Sequence, residues 1–435
     1  MIESMDIFAS SLLLNQHPLN KLAPKWKKQY YLLLEYFMRN HYKDFKFVEE
    51  RLKHYRINFF RSENELEYTA SIKNIIKTLL TAPFPIFKEK FEYCLICDVA
   101  LILLDSESIL EIAEDIKATL NIKNQRYFEK FVSNLLKDPE HLTSVPYLSE
   151  MIKQYKDNSD FFKQPVETFI VTANMSAGKS TLINALIGKK IARTSQEVCT
   201  GNICYIVNKP FDDNRVHLLN SYFTMNADED KLRSITWDSG TCVSSYFANL
   251  HNSHNRVCII DTPGVNSAVN KDHGEMTRNT IKTVLFDKLI YVMNAGQLGT
   301  NEEINHLVWI HENVPEEKII FVLNKLDNFN TKQDSITNSI KGVYEDLQKI
   351  GYKSPAVYPI SAIYALLLKR QFNGDTLDDD DMDQLELLTK KFNREAYDLS
   401  KYYSDTTTTD EDEFITMSKK CGLYGLENIL LGGTK

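Results

Sequence analysis

The run Val166-Glu-Thr-Phe-Ile-Val-Thr172 leads straight into Ala173-Asn-Met-Ser-Ala-Gly-Lys-Ser180, and a helical stretch, Thr181 to Ile187, follows at once. A β-rich segment, a glycine-bearing loop ending in Lys-Ser and a helix are the parts of a phosphate-binding loop. They require an α/β unit that presents its strand ends to a ligand. Backbone N–H groups from Asn174 to Thr181, those of Ser176, Ala177 and Gly178 among them, would surround phosphates at the helix N-terminus. Lys179 would reach the β- and γ-phosphates, and the Ser180 hydroxyl would ligate Mg²⁺. Ala173 stands where the usual pattern has glycine, and a methyl there is tolerable if φ is negative.

Three more motifs follow in order, each behind an apolar run. Asp261-Thr-Pro-Gly264 succeeds Val257-Cys-Ile-Ile260 and places a carboxylate at a strand end, where Asp261 would hold Mg²⁺ and the N–H of Gly264 would sense the γ-phosphate. Asn324-Lys325-Leu-Asp327 ends Ile319-Ile-Phe-Val-Leu323. A carboxylate at Asp327 can accept from both the ring N–H and the exocyclic amine of guanine, a donor pair that adenine lacks, so the motif argues for GTP over ATP. Ser361-Ala362 falls where a backbone contact to the guanine carbonyl is needed. Between the first two motifs, Thr200 is the expected second Mg²⁺ ligand, with Thr194 as fallback. Lys190 and Arg193 read as a solvated basic loop.

At 435 residues the chain should hold more than one domain. Its first 165 residues read as all-helical. An amphipathic stripe runs from Trp26 to Tyr55 as one helix, with further helices near 64–81, 87–104, 107–119, 125–136 and 146–157. From Val166 the texture becomes α/β, with strands at 166–172, 203–207, 256–260, 288–293, 318–323 and 356–360. The expected fold is a P-loop domain over 166–431 with a mostly parallel sheet, preceded by a helical domain over 1–165. The Asp-rich stretch 371–413 reads as a partly helical insertion whose acidic run is a solvated loop.

A net charge of −8 disfavours nucleic acid as a partner. Seven scattered cysteines suit a reducing compartment, and no apolar run is long enough to span a bilayer, so a cytoplasmic protein is expected. A basic surplus over 21–56 would suit peripheral attachment to an anionic membrane, although the stripe there reads as helix packing.

The segment Ala173-Asn-Met-Ser-Ala-Gly-Lys-Ser-Thr-Leu-Ile-Asn-Ala-Leu-Ile-Gly188, together with Asp-Thr-Pro-Gly, Asn-Lys-Leu-Asp and the long interval between Thr200 and Asp261, resembles dynamin-superfamily GTPases, bacterial dynamin-like proteins in particular. The resemblance implies hydrolysis of GTP to GDP and phosphate with Mg²⁺, with Ser176, Lys179 and Thr200 in catalytic roles. It gives Ser176 a monovalent cation, K⁺ or Na⁺, that supplements Lys179. It further implies a nucleotide-dependent homodimer through the GTPase domain. Val265 occupies the slot that in Ras-like enzymes holds the glutamine orienting the attacking water. The family's long helical stalk is not expected in a chain that stops at Lys435: either the sequence is part of a longer one, a stalk-bearing or second dynamin-like partner supplies the rest, or the N-terminal helical domain does a different job. Two alternatives stand beside this reading: a GTP-regulated binding module with negligible hydrolysis, and a ribosome-assembly GTPase of the Era type, for which no basic RNA-binding domain follows.

Overall fold

The computed structural model describes residues 2–42, 46–64, 71–81, 90–192, 202–234, 240–248, 255–265, 272–296, 300–329, 335–404 and 412–431. The chain divides into two compact units: residues 1–164 with 209–226, and residues 165–208 with 227–435.

The first unit is built on α1 (Ile2–Ala9), α2 (Pro24–Tyr42), α3 (Lys46–Phe60), α4 (Ile72–Leu79), α5 (Phe91–Leu103), α6 (Ser106–Ala118), α7 (Ile122–Lys137) and α8 (Ser149–Phe162). The stripe from Trp26 to Tyr55 is thus carried by two helices rather than one. Each has its own inward face, and a helical period alone does not reveal a break between them. Helix α5 is apolar on all sides and runs through the core, as such a composition requires. Its one acid in the middle, Asp98, is wholly buried and accepts from Tyr30 Oη, from Tyr55 Oη at 2.8 Å and from His17 Nε2 at 3.1 Å. His17 Nδ1 accepts the Leu19 N–H at 3.2 Å, so the ring proton sits on Nε2 and faces the carboxylate. Satisfied in this way, the charge is tolerable inside; with any partner removed it would not be.

After α8 the chain continues through β1 (Val166–Ala173), α9 (Lys179–Ile187) and β2 (Cys204–Asn208), then the antiparallel pair β3 (His217–Leu219) and β4 (Phe223–Thr224). Next come α10 (Glu229–Ser234), β5 (Thr241–Ser245), β6 (Arg256–Asp261), α11 (Asp272–Thr283), β7 (Lys288–Asn294), α12 (Asn301–Asn313) and β8 (Ile319–Asn324). The last elements are α13 (Ile336–Ile350), β9 (Val357–Pro359), α14 (Ala362–Phe372), α15 (Asp379–Phe392), α16 (Glu413–Lys420) and α17 (Leu423–Leu431). The strands of the second unit lie in the order β5-β2-β6-β1-β7-β8-β9, all pairs parallel except β2 against β6. Strands β1 and β8 are buried along most of their length, as strands covered on both faces must be, and Ile170, Leu289, Phe321 and Leu323 sit in the core between sheet and helices.

Residues 209–226, which the sequence reading assigned to the GTPase domain, lie with the first unit. The α1–α2 connection runs between this segment and α8. On one side Asn158 and Gln154, one turn apart on α8, exchange paired hydrogen bonds with the backbones of Ser11 and Leu13 at 2.9–3.0 Å. On the other, Asp213 accepts the Leu12 N–H at 3.1 Å and His217 Nδ1 donates to Phe8 O at 2.7 Å. Phe223 packs between Phe8 and Phe47. Lys209 is buried against Asp213 and donates to His217 Nε2 at 3.1 Å, and burial together with that ammonium pushes the His217 imidazole well below its ordinary pKa.

Candidate functional site

Parallel pairing of β1 with β6, of β1 with β7 and of β7 with β8 sends the segments after Ala173, Asp261 and Asn324 off the same edge of the sheet. In this register Val171 stands opposite Asp261, and Asn294 opposite Asn324. The motifs are thereby brought together by strand direction rather than by neighbourhood in sequence.

Ala173 is the last residue of β1, buried and with negative φ, so the missing glycine costs the loop nothing. The positive angles fall instead on Ser176 (φ 62°) and Gly178 (φ 89°). Gly178 is required twice over, because an added Cβ would also overlap the side-chain amide of Asn324. Asn174 accepts the Met175 N–H at 2.9 Å and donates to Thr300 Oγ1 at 3.3 Å, which fixes the mouth of the loop. Ser176 is exposed at the rim, whereas Ala177 is buried beneath it.

Lys179 is buried and donates to Asp261 Oδ1, and Asp261 has no solvent exposure. The other carboxylate oxygen, Oδ2, has no hydrogen-bond partner among the described residues. A carboxylate oxygen in that condition would suit a cation, and a carboxylate and a hydroxyl such as that of Ser180 are oxygen donors of the hardness Mg²⁺ prefers. After Asp261, Thr262 Oγ1 donates to Val171 O at 2.8 Å and the Val265 N–H to Ala173 O at 3.1 Å, so the start of this loop is tied to β1. A Cβ added at Gly264 would come into van der Waals contact with Met175 of the phosphate loop, so the two loops run close together here. Val265 is buried and presents only an aliphatic side chain.

Asn324 joins the loops. Its Nδ2 donates to Ala177 O at 3.0 Å, and its Oδ1 accepts the Ala362 N–H at 3.0 Å. Lys325 leaves the strand through a left-handed conformation (φ 67°) that starts the turn Leu326–Asn328. Asp327 Oδ1 accepts from Ser361 Oγ at 2.8 Å, and Ser361 also caps α14. Asp327 and Ser361 are therefore in direct contact, and Ala362 is held by Asn324 at the other end of the same motif.

Thr200, Thr194 and Arg193 lie outside the described residues. Lys190, read as part of a solvated loop, pairs with Asp381 at 2.8 Å, and Arg370 donates to the same carboxylate. Burial alone would raise the Asp381 pKa, but these two partners outweigh it and hold the carboxyl below its ordinary range. The acidic run is thus in part structural: Asp378 caps α15 and Asp381 binds it to two cations.

The sequence reading passed over Asn184. Buried on α9, it accepts the N–H groups of Ile191 and Ala192 at 2.8 and 2.7 Å and donates to Ala192 O at 2.8 Å. It anchors the chain where it sets out toward Thr200, and a polar side chain on the inner face of an apolar helix was the available signal.

Residues 170–326 match a family model described as "Dynamin family". Among curated proteins, the chain is 25% identical over 201 residues to a "Probable transmembrane GTPase FZO-like, chloroplastic" of Arabidopsis thaliana. It is 26% identical over 230 residues to "Dynamin-like protein A" of Bacillus subtilis. These alignments cover 46% and 48% of this chain but only 19% and 18% of the relatives, so the chain spans under a fifth of their length. Solved structures that match include a single-substitution variant of Aquifex aeolicus Era bound to GDP·AlF4⁻, at 17% identity and a TM-score of 0.28, covering 48% of this chain and 55% of that one. Era in complex with MgGDPNP and a piece of 16S ribosomal RNA matches at 16% identity and a TM-score of 0.29, covering 50% and 61%.

Proposed function

We propose that this chain, whose residues 170–326 match the dynamin-family model, binds GTP and hydrolyses it to GDP and phosphate, and that the nucleotide cycle governs association with itself, a partner or a membrane. The observation that supports this most is the Asn324 amide, which ties the phosphate loop at Ala177 to the Ser361–Ala362 loop. In this reading it would hold the phosphate end and the base end of the nucleotide site in fixed relation. Lys179 would leave Asp261 for the β- and γ-phosphates, and Asp327 would read the guanine edge. Ser180, Asp261 and Thr200 would hold Mg²⁺, which when bound neutralises charge developing on the phosphates. Ser176, exposed and turned out by its left-handed backbone, would add its hydroxyl to a monovalent cation, K⁺ or Na⁺.

With Val265 where a water-orienting glutamine would stand, hydrolysis needs a second source of geometry. A face-to-face homodimer through the GTPase domain would supply it, and turnover per molecule should then rise with protein concentration. The same residue favours a second reading, a GTP-regulated binding module that hardly hydrolyses. GTP turnover measured across a range of protein concentrations, with Asp327→Asn as the base-specificity control, separates the two. Turnover at background throughout, alongside tight GTP binding, would leave only the binding module. Size-exclusion chromatography with light scattering in GDP, in a non-hydrolysable analogue and in GDP·AlF4⁻ tests the pairing. Among the described residues no helix is long and apolar enough to cross a membrane, so membrane association is tested by flotation with anionic liposomes.

A further inference from the structure

We infer that Lys391 and Tyr397, which lie outside all four nucleotide motifs, are positioning residues for the base-recognition loop 324–329 and set how strongly the protein favours guanine over hypoxanthine. The inference rests on the GTP reading above.

The geometry is specific. Lys391, in the last turn of α15, donates from Nζ to the backbone carbonyl of Asp327 and to that of Phe329 at 3.1 Å. Tyr397 Oη donates to the same Phe329 carbonyl at 3.0 Å, and the Lys391 ammonium lies 4.6 Å from the Tyr397 ring centre. One cation thus holds two carbonyls on either side of Asn328, while an aromatic ring covers the cation. No carboxylate competes for Lys391 among the described residues.

Asp327 is therefore fixed at two points by different elements. Ser361, at the head of α14, orients the carboxylate; Lys391, at the end of α15, fixes the backbone that carries it. The two helices are braced against each other by Tyr364 Oη and Thr389 Oγ1 at 3.0 Å and by the stacked rings of Tyr364 and Phe392. A carboxylate that must meet two N–H groups of a base at once tolerates little displacement of its Cα, since each hydrogen bond weakens within a few tenths of an ångström and with angle. The turn's own bonds, from the Asn328 N–H to Lys325 O at 3.1 Å and from the Phe329 N–H to Leu326 O at 3.2 Å, shape the loop internally, and the clamp from Lys391 ties it to α15.

IDP tests this role, because it differs from GDP only in lacking the exocyclic amine. Binding of GDP and IDP is measured by titration calorimetry on the full chain, its melting followed in parallel. The wild-type chain should prefer GDP. Lys391→Met should weaken GDP about tenfold and IDP far less, so that the preference shrinks. Lys391→Arg, which keeps the cation, should retain most of it. Tyr397→Phe should lose part of it and carries the comparison if Lys391→Met does not fold. A GDP-over-IDP ratio unchanged in Lys391→Met and Tyr397→Phe, whatever happens to melting, overturns the inference and leaves the GTP reading standing. A wild-type chain that binds neither nucleotide overturns both.

Discussion

Lys179 and Asp261 neutralise one another inside the protein: the ammonium donates to Oδ1 of a carboxylate that has no solvent exposure. The lysine expected to grip the β- and γ-phosphates is thus occupied by the acid expected to hold the metal, and Asp261 Oδ2 faces no donor among the described residues. Nucleotide with Mg²⁺ would exchange this internal pair for two better-matched ones.

Lys179→Ala should therefore do more than abolish turnover. It strands a buried charge, and in nucleotide-free protein it should cost roughly 3 kcal/mol in urea unfolding. Asp261→Asn added to it should restore part of that loss. If the two substitutions prove additive, the pair is not coupled in solution.

Gly178→Ala should be worse than Gly188→Ala, although both residues have positive φ, 89° and 86°. At Gly188 an added Cβ meets the Asn373 amide at 3.0 Å, a tip that can shift. At Gly178 it displaces the Asn324 amide that bridges two loops. We expect about 1 kcal/mol for Gly188→Ala and at least about 3 kcal/mol for Gly178→Ala in urea unfolding, with GDP affinity lost only in the latter.

Asn184→Ala removes three hydrogen bonds from the segment that leads toward Thr200. At about 1 kcal/mol each, stability should fall by roughly 2–3 kcal/mol. GTP turnover should fall with it even where the protein is fully folded, as judged by circular dichroism. Unchanged turnover in the folded variant would confine Asn184 to a stabilising role.

His306 is buried behind the phosphate loop, with Nε2 3.3 Å from Thr172 Oγ1, and burial, assisted by Arg278, lowers its pKa to about 3. An imidazole with depressed folded pKa binds fewer protons folded than unfolded, so stability falls as pH drops from its unfolded value near 6.5 toward 3, by up to about 1.4 kcal/mol per unit. His306→Leu should flatten the pH dependence of the urea midpoint between about pH 6 and 4. An equally steep dependence in the variant would assign the effect to other groups.

The sequence makes the phosphate loop, the strand before it and the base motif legible because each is a local signal, a few residues of fixed spacing behind an apolar run. Strands β2, β6, β7, β8 and β9 fall within about a residue or two of their expected bounds, the usual scatter of such ends. The short strands β3, β4 and β5 were not anticipated: the first two are too brief to show a period. The partners of His217, Asp213, Lys190 and Lys391 were equally out of reach. Phe8 and His217 are 209 residues apart, and Lys391 and Asp327 are 64 apart. No spacing rule links such positions; only the packed chain does. Asp381 illustrates the same limit, since a run of aspartates reads as solvated until a lysine 191 residues away is found beside it.

The allocation of residues 209–226 to the helical unit bears on how the protein can be divided. The polypeptide passes from one unit to the other three times, near 164, 208 and 226. No single cleavage point separates them. A recombinant fragment beginning at 166 would carry Phe223, His217 and Asp213 without Phe8, Phe47 and Leu12, while the remaining helical piece would expose the apolar and polar surfaces those residues cover. The two halves of such a cut are better regarded as complementing fragments than as independent domains, and co-expression is the form in which both should stay soluble.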